Sequence, residues 1–158
     1  MYARILVPLD GSKIGEAALP NVEELVSNLA PGLKVEVTLY QVVSPLTHYV
    51  GAGEVVAQIP YTEKEMEQTK QKVMDYLDKA GEGLRRKGAI VKCKVGVGKA
   101  ADEIIKAADE INADLVAMST HGRSGLSRWA FGSITDRVLR GGNTPILVVR
   151  APRETEKT

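Results

Sequence analysis

Five short runs rich in Val, Ile and Leu recur along the 158 residues: Arg4 to Leu9, Val35 to Val43, Ala89 to Val95, Asp114 to Ser119 and Pro145 to Arg150. Each is short enough for a strand, and the stretches between them carry helical periodicity. Strands that are apolar almost throughout, rather than at every second residue, are those buried on both faces. Alternation with helices leaves parallel pairing through helical crossovers as the solution that covers both faces. The expectation is a single α/β domain: an open, parallel, five-stranded sheet with helices on both sides.

Four helices are read between the strands. Ser12 is taken as N-cap of the first, which turns Val22, Leu25, Val26 and Leu29 inward; Pro20 within it predicts a kink or break, because proline removes a backbone donor. The second runs over about Thr62 to Lys87, with Met66, Val73, Leu77, Ala80 and Leu84 as its buried stripe and Gly88 ending it. The third, about Ala100 to Ile111, buries Ala101, Ile104, Ile105 and Ala108. The fourth begins near Gly132, where Ser133 and Asp136 have capping-box spacing, buries Ile134 and Val138, and stops at Gly141-Gly142. Ser44 to Tyr61 is long for a connection in such a domain and reads as a mobile insertion, a lid or a partner surface.

Twenty-one Lys and Arg against twenty Asp and Glu leave a net charge of +1. That is no field for a long polyanion or an anionic membrane, so neither nucleic acid nor membrane is expected as a partner. Cys93 is the only cysteine, and His48 and His121 are the only histidines. An intramolecular disulfide is excluded and no zinc-ligand spacing exists. With no apolar run of ~18 residues and no leader-like start, a cytoplasmic location is expected. Residues 1–150 are read as the domain and 151–158 as a polar tail.

Chemistry concentrates in Met118-Ser119-Thr120-His121-Gly122-Arg123-Ser124-Gly125 and the later Gly132-Ser133-Ile134-Thr135, a strand end, a glycine-bearing loop and a helix start. A helix N-terminus has unpaired N–H groups and about half a positive charge, which suits phosphate. Rival motifs fall short. Gly96-Val97-Gly98-Lys99-Ala100-Ala101 fits G-x-G-x-x-A, yet the next strand ends without the acid that a dinucleotide site sets against the ribose. Cys93 and Ala100 break the Walker pattern, and Gly122-Arg123-Ser124-Gly125 misses the hydrolase elbow. Cys93 shares a strand face with Val91 and Val95 and reads as packing; His121 reads as a loop-shaping donor, with general-base chemistry the lesser option.

Open α/β sheets of the Rossmann-like kind bind ligands at strand carboxyl ends where the order reverses. With order 3-2-1-4-5 the reversal lies between the first and fourth strands. Asp10-Gly11-Ser12 follows the first and Met118-Ser119 ends the fourth, so two independent features converge on one crevice.

At these residues the chain resembles the universal stress protein family, over nearly its whole length. The matching pieces are Ile5-Leu6-Val7-Pro8-Leu9-Asp10-Gly11-Ser12, Gln41-Val42-Val43, Ala113-Asp114-Leu115-Val116 and the run from Ser119 to Arg150. The family's ATP-binding branch carries G-x2-G-x9-G-[S/T], and Gly122 followed after nine residues by Gly132-Ser133 reproduces its last two parts. Ser119 stands where the first glycine would be, and Ala100 where the family often has proline. Serine costs little in an extended strand end but is strained where φ must be positive.

The resemblance implies roles. Pro8, Asp10, Val42 and Met118 would surround adenine and ribose, with Asp10 the polar contact. Ser119, His121, Gly122, Arg123, Ser124 and Gly125 would follow the ribose and phosphates, with Arg123 as charge partner of the terminal phosphates. Gly132, Ser133, Ile134 and Thr135 would offer N–H groups and hydroxyls, while Trp129 and Phe131 would pack the loop. The ligand implied is ATP or AMP, with Mg a companion that ATP could bring. A homodimer through Pro145 to Arg150 is implied too, and an apolar edge strand needs covering on physical grounds alone. The function expected is nucleotide-dependent regulation or sensing in a stress response rather than catalysis. A slow ATP hydrolase using Asp10 or His121, and a nucleotide-free dimeric interaction scaffold, stay open as alternatives.

Overall fold

The computed structural model describes residues 3–29, 31–121 and 132–151, with backbone alone at 47–51 and 54–56. In chain order the strands are β1 (Arg4–Pro8), β2 (Glu36–Val43), β3 (Leu46–Gly51), β4 (Glu54–Pro60), β5 (Ile90–Val97), β6 (Leu115–Ser119) and β7 (Ile146–Val149). The helices are α1 (Leu19–Ser27), α2 (Glu63–Ala80), α3 (Glu82–Arg86), α4 (Ala100–Glu110) and α5 (Ser133–Gly141), with a 3-10 turn over Ile14–Ala18 ahead of α1. Five strands form one parallel sheet in the order β5-β2-β1-β6-β7. Counted by the five apolar runs, that is 3-2-1-4-5.

Strand periodicity divides the interior in two. Ile5 and Val7 of β1, Val37 and Leu39 of β2, and Leu115 and Ala117 of β6 face Val22 and Val26 of α1, Val73 and Leu77 of α2, and Leu84 of α3. Leu6, Tyr40, Val116 and Met118 point the other way, onto Ala101, Ile104, Ala107 and Ala108 of α4 and Val138 of α5. Successive residues Ile5, Leu6 and Val7 are thus wholly buried, which is why β1 has no polar position after Arg4. At the amino rim, Asp114 Oδ2 accepts the N–H groups of Ala3 (3.0 Å) and Arg4 (2.8 Å) and fastens β1 to the start of β6.

Local readings are refined in four places. The break anticipated at Pro20 falls ahead of it: the 3-10 turn ends at Ala18, and Pro20 occupies the first turn of α1, where a missing N–H is harmless. The single helix expected to Lys87 is two, α2 and α3, meeting at Gly81. A Cβ on Gly81 would lie 2.8 Å from Val91 Cγ1 and 3.2 Å from Leu39 Cδ1, so the helices press directly on the sheet there. Thr62 and Glu65 form a capping box at the start of α2. The 44–61 connection is not a plain loop. Its strands β3 and β4 make an antiparallel hairpin with Ala52 (φ 53°) and Gly53 (φ 83°) as its two-residue turn.

The fourth correction concerns α5. Gly132, not Ser133, is its N-cap, and Asp136 pairs with Arg140 (2.9 Å) instead of closing a capping box. Thr135 and Val138 are its buried residues, while Ile134, expected inside, is 44% exposed. Among the described residues no helix is long and apolar enough to cross a membrane.

Candidate functional site

The carboxyl rim beside β1 collects residues from distant parts of the sequence. Pro8 ends β1 in register with Tyr40, and strand alternation puts it on the face of Leu6, the α4–α5 side. Val42 of β2 and Met118 of β6 flank it on that side, Met118 buried and Val42 half-buried against the same cluster. Three apolar side chains therefore line the end of the sheet where its order reverses.

Asp10 leaves β1 directly into a tight turn. Its Oδ1 accepts the N–H of Ser12 (2.9 Å) and the Ser12 hydroxyl (2.6 Å), and Ser12 Oγ accepts the N–H of Gly15 (3.0 Å). Ser12 thus organises the 3-10 turn through Gly15 rather than capping a long helix. A Cβ on Gly15 would run into Asp10 Oδ1, so glycine is what lets the turn close on the carboxylate.

Across the switch point, Ser119 is the last residue of β6 and buried. Its backbone is not among those with positive φ, and its hydroxyl meets the N–H of His121 at 3.4 Å. The Ser119 carbonyl accepts the Thr135 hydroxyl (2.9 Å), which fixes α5 onto the strand end. Gly132 donates its N–H to Thr120 O at 2.7 Å, and a Cβ there would stand 3.0 Å from the same oxygen. His121 Nδ1 lies 3.0 Å from Thr120 Oγ1, while its buried Nε2 has no hydrogen-bond partner among the described residues.

What α5 offers this rim is an uncapped start. Its N-cap, Gly132, has no side chain to cap it, none does so in its place among the described residues, and Ser133 and Ile134 are exposed. First-turn N–H groups lack carbonyl partners within a helix and concentrate positive potential. An apolar floor of Pro8, Val42 and Met118 beside such a donor set suits a ligand with a flat apolar part and an anionic part.

Gly122, Arg123, Ser124 and Gly125, together with Trp129 and Phe131, lie outside the described residues. Thr120 falls within the stretch singled out in the sequence but has no role assigned there; its signal was a polar residue directly after an apolar strand.

The competing motifs are filled by the protein itself. The Tyr40 hydroxyl occupies the space above Gly96, and Glu103, in the first turn of α4, packs where a Cβ on Gly98 would sit (3.0 Å to its Cγ). A pyrophosphate would find that helix start already taken by a carboxylate. Cys93 packs half-buried against the α2 side, and burial pushes its thiol up from the ordinary range, away from nucleophilic use. A depression of about 10 Å³ among Ile105, Val116, Val138 and Ile146 lies at the opposite, amino rim and is too small for anything larger than a water. Among the described residues, no three His, Cys, Asp or Glu side chains are grouped to hold a metal ion.

Known proteins bear on this geometry. The model of the universal stress protein family matches residues 1–150. Universal stress protein MJ0531 of Methanocaldococcus jannaschii is 31% identical over 159 residues, covering 98% of this chain and 85% of that protein. Among solved structures, MJ0577 of the same organism superposes with a TM-score of 0.71 at 23% identity, over 97% of this chain and 99% of that one. The universal stress protein from Archaeoglobus fulgidus in complex with dAMP gives 0.62 at 21% identity, over 94% and 98%. The last two share the fold.

Proposed function

Since the chain belongs to the universal stress protein family, we propose that it is an adenine-nucleotide-binding regulator in a stress response, its ligand lying across the carboxyl rim between β1 and β6. The observation that carries the reading is the uncapped N-terminus of α5 next to the apolar floor of Pro8, Val42 and Met118. Adenine and ribose lie on that floor near Asp10. The phosphates run past Ser119 and His121 and over Gly132, whose own N–H is given to Thr120 O, to the N–H groups of Ser133, Ile134 and Thr135. Gly122, Arg123, Ser124 and Gly125 join the site through the G-x2-G-x9-G-[S/T] spacing alone. The dAMP complex of the Archaeoglobus fulgidus protein supports an adenine nucleotide as the ligand class; ATP or AMP, with Mg beside ATP, is the proposal for this chain.

Binding rather than turnover is favoured by Asp10, whose Oδ1 already accepts two bonds from Ser12 and so organises the turn. A homodimer through Pro145 to Arg150 is part of the proposal. Its support is that β7 stands at the sheet edge, its four apolar residues half-buried. Sedimentation at micromolar concentration is expected to give a dimer, and a monomer would remove that part.

The deciding experiment is the thermal midpoint of ligand-free protein with and without ATP, ADP and AMP. At about one hundred times Kd a ligand adds about 2.7 kcal/mol, which raises the midpoint by several degrees. Gly132→Val is expected to abolish the rise, because its side chain crowds both Thr120 O and the phosphate approach. No rise with any nucleotide would sink the reading in favour of the nucleotide-free scaffold.

A further inference from the structure

Four contacts converge on Thr120, between the end of β6 and His121. Its N–H donates to Val149 O at 2.8 Å and its carbonyl accepts from Gly132 N–H at 2.7 Å, so its backbone joins the end of β7 to the start of α5. Its hydroxyl, in a residue 9% exposed, accepts the N–H of Ala151 at 3.0 Å and faces His121 Nδ1 at 3.0 Å. A threonine hydroxyl has one proton to give. With Ala151 donating to one lone pair of the oxygen, the hydroxyl either gives its proton to Nδ1 or accepts one from it according to the ring's tautomer, and either way the contact holds the ring's orientation. Removing the hydroxyl strands a part-buried N–H on one side and a ring nitrogen on the other.

We propose that Thr120 is a positioning residue that couples the nucleotide rim to the chain leaving β7: ligand at Gly132 and His121, and order at Val149 to Ala151, favour one another. The inference rests on reading the rim as a nucleotide site. A ligand that holds Gly132 and His121 holds Thr120 through its carbonyl and hydroxyl, and Thr120 holds Val149 and Ala151 through its N–H and the same hydroxyl. Such coupling is reciprocal, so whatever orders the end of β7 tightens nucleotide binding by the factor with which nucleotide orders it.

Thr120→Val keeps the side-chain shape without the hydroxyl, Thr120→Ser keeps the hydroxyl, and Ala151→Pro deletes the N–H at the far end. Calorimetric titration with ATP and with AMP, and NMR amide exchange of Ala151, are measured on the full-length protein and the first two variants; Ala151→Pro is titrated only. Nucleotide is expected to slow Ala151 exchange about five- to ten-fold in the wild type and Thr120→Ser, the lower range of coupling between sites. Thr120→Val should lose that slowing, and it and Ala151→Pro should each bind about five- to ten-fold more weakly. Binding heat without slowing at Ala151, or wild-type behaviour of Thr120→Val, overturns the coupling and leaves the site standing. Absence of heat with both nucleotides in the wild type overturns the site itself and the coupling with it. If Thr120→Val does not fold, wild-type exchange and Ala151→Pro affinity still decide.

Discussion

Ser119 stands where the family motif has glycine, and its backbone decides what that exchange means. Glycine would be required for positive φ, but among the described residues the non-glycine positions with positive φ are Ala52 and Asn112. Ser119 closes β6 in register with Val149, and its hydroxyl points to the His121 N–H. Ser119→Gly is therefore expected to leave nucleotide affinity within about three-fold and to lower stability by about 0.5–1 kcal/mol through backbone entropy. A ten-fold gain in affinity by calorimetry would show instead that serine obstructs the ligand. Tyr40, 3% exposed, carries a second residue-scale prediction. Burial, with the carboxylates of Glu103 and Glu110 adding to it, pushes its hydroxyl up to about 12 from the ordinary 10.0. The fold prefers the neutral phenol, so this contribution is intact below pH 10 and lost as pH climbs through 12. Urea melts across that window should show the wild type losing on the order of 2 kcal/mol more than Tyr40→Phe.

At the scale of elements, the hairpin β3–β4 is separate from the main sheet and its strands pair with each other. Replacing residues 46–60 by a short Gly-Ser linker is expected to keep the midpoint within about 3 °C by calorimetry, since loop length costs little and few core contacts are lost. A collapse of the midpoint would mean that the hairpin braces the domain. Its presence was hard to read because its turn is Ala52-Gly53 rather than Asn-Gly, and neither strand has a regular polar–apolar alternation in sequence. The two central strands were legible for the opposite reason: from Ile5 in β1 and throughout β6 they are buried on both faces and almost wholly apolar, and their ends at Asp10 and Ser119 mark the crevice. Periodicity could not separate Ile134 from Thr135 in a nine-residue helix, where the Thr135 hydroxyl finds Ser119 O and so tolerates burial. Gly81 was equally silent, since its close approach to Val91 depends on a neighbour distant in sequence. Gly88 and Asn112 end α3 and α4 alike with left-handed residues, and the following amides, Ala89 and Ala113, return to Leu84 O and Ala108 O. Only the glycine drew notice in the sequence.

For the whole molecule, the rim is made from opposite ends of the chain. The bond from Ala3 N–H to Asp114 closes 111 residues of sequence, and β1 meets β6 through Ile5 opposite Leu115 and Leu6 opposite Val116. Pairing so remote in sequence forms late, after the cost of closing that loop has been met. A growing chain on the ribosome has no rim until β6 has emerged and found its place beside β1. A nucleotide then has nothing to grip during folding, and its stabilisation acts on the exit from the native state. Stopped-flow refolding should run at the same rate with or without ATP, while unfolding slows in proportion to occupancy; faster refolding with nucleotide would contradict this. Nucleotide supply would in that case set how long each finished molecule survives, and leave untouched how many of them are successfully made.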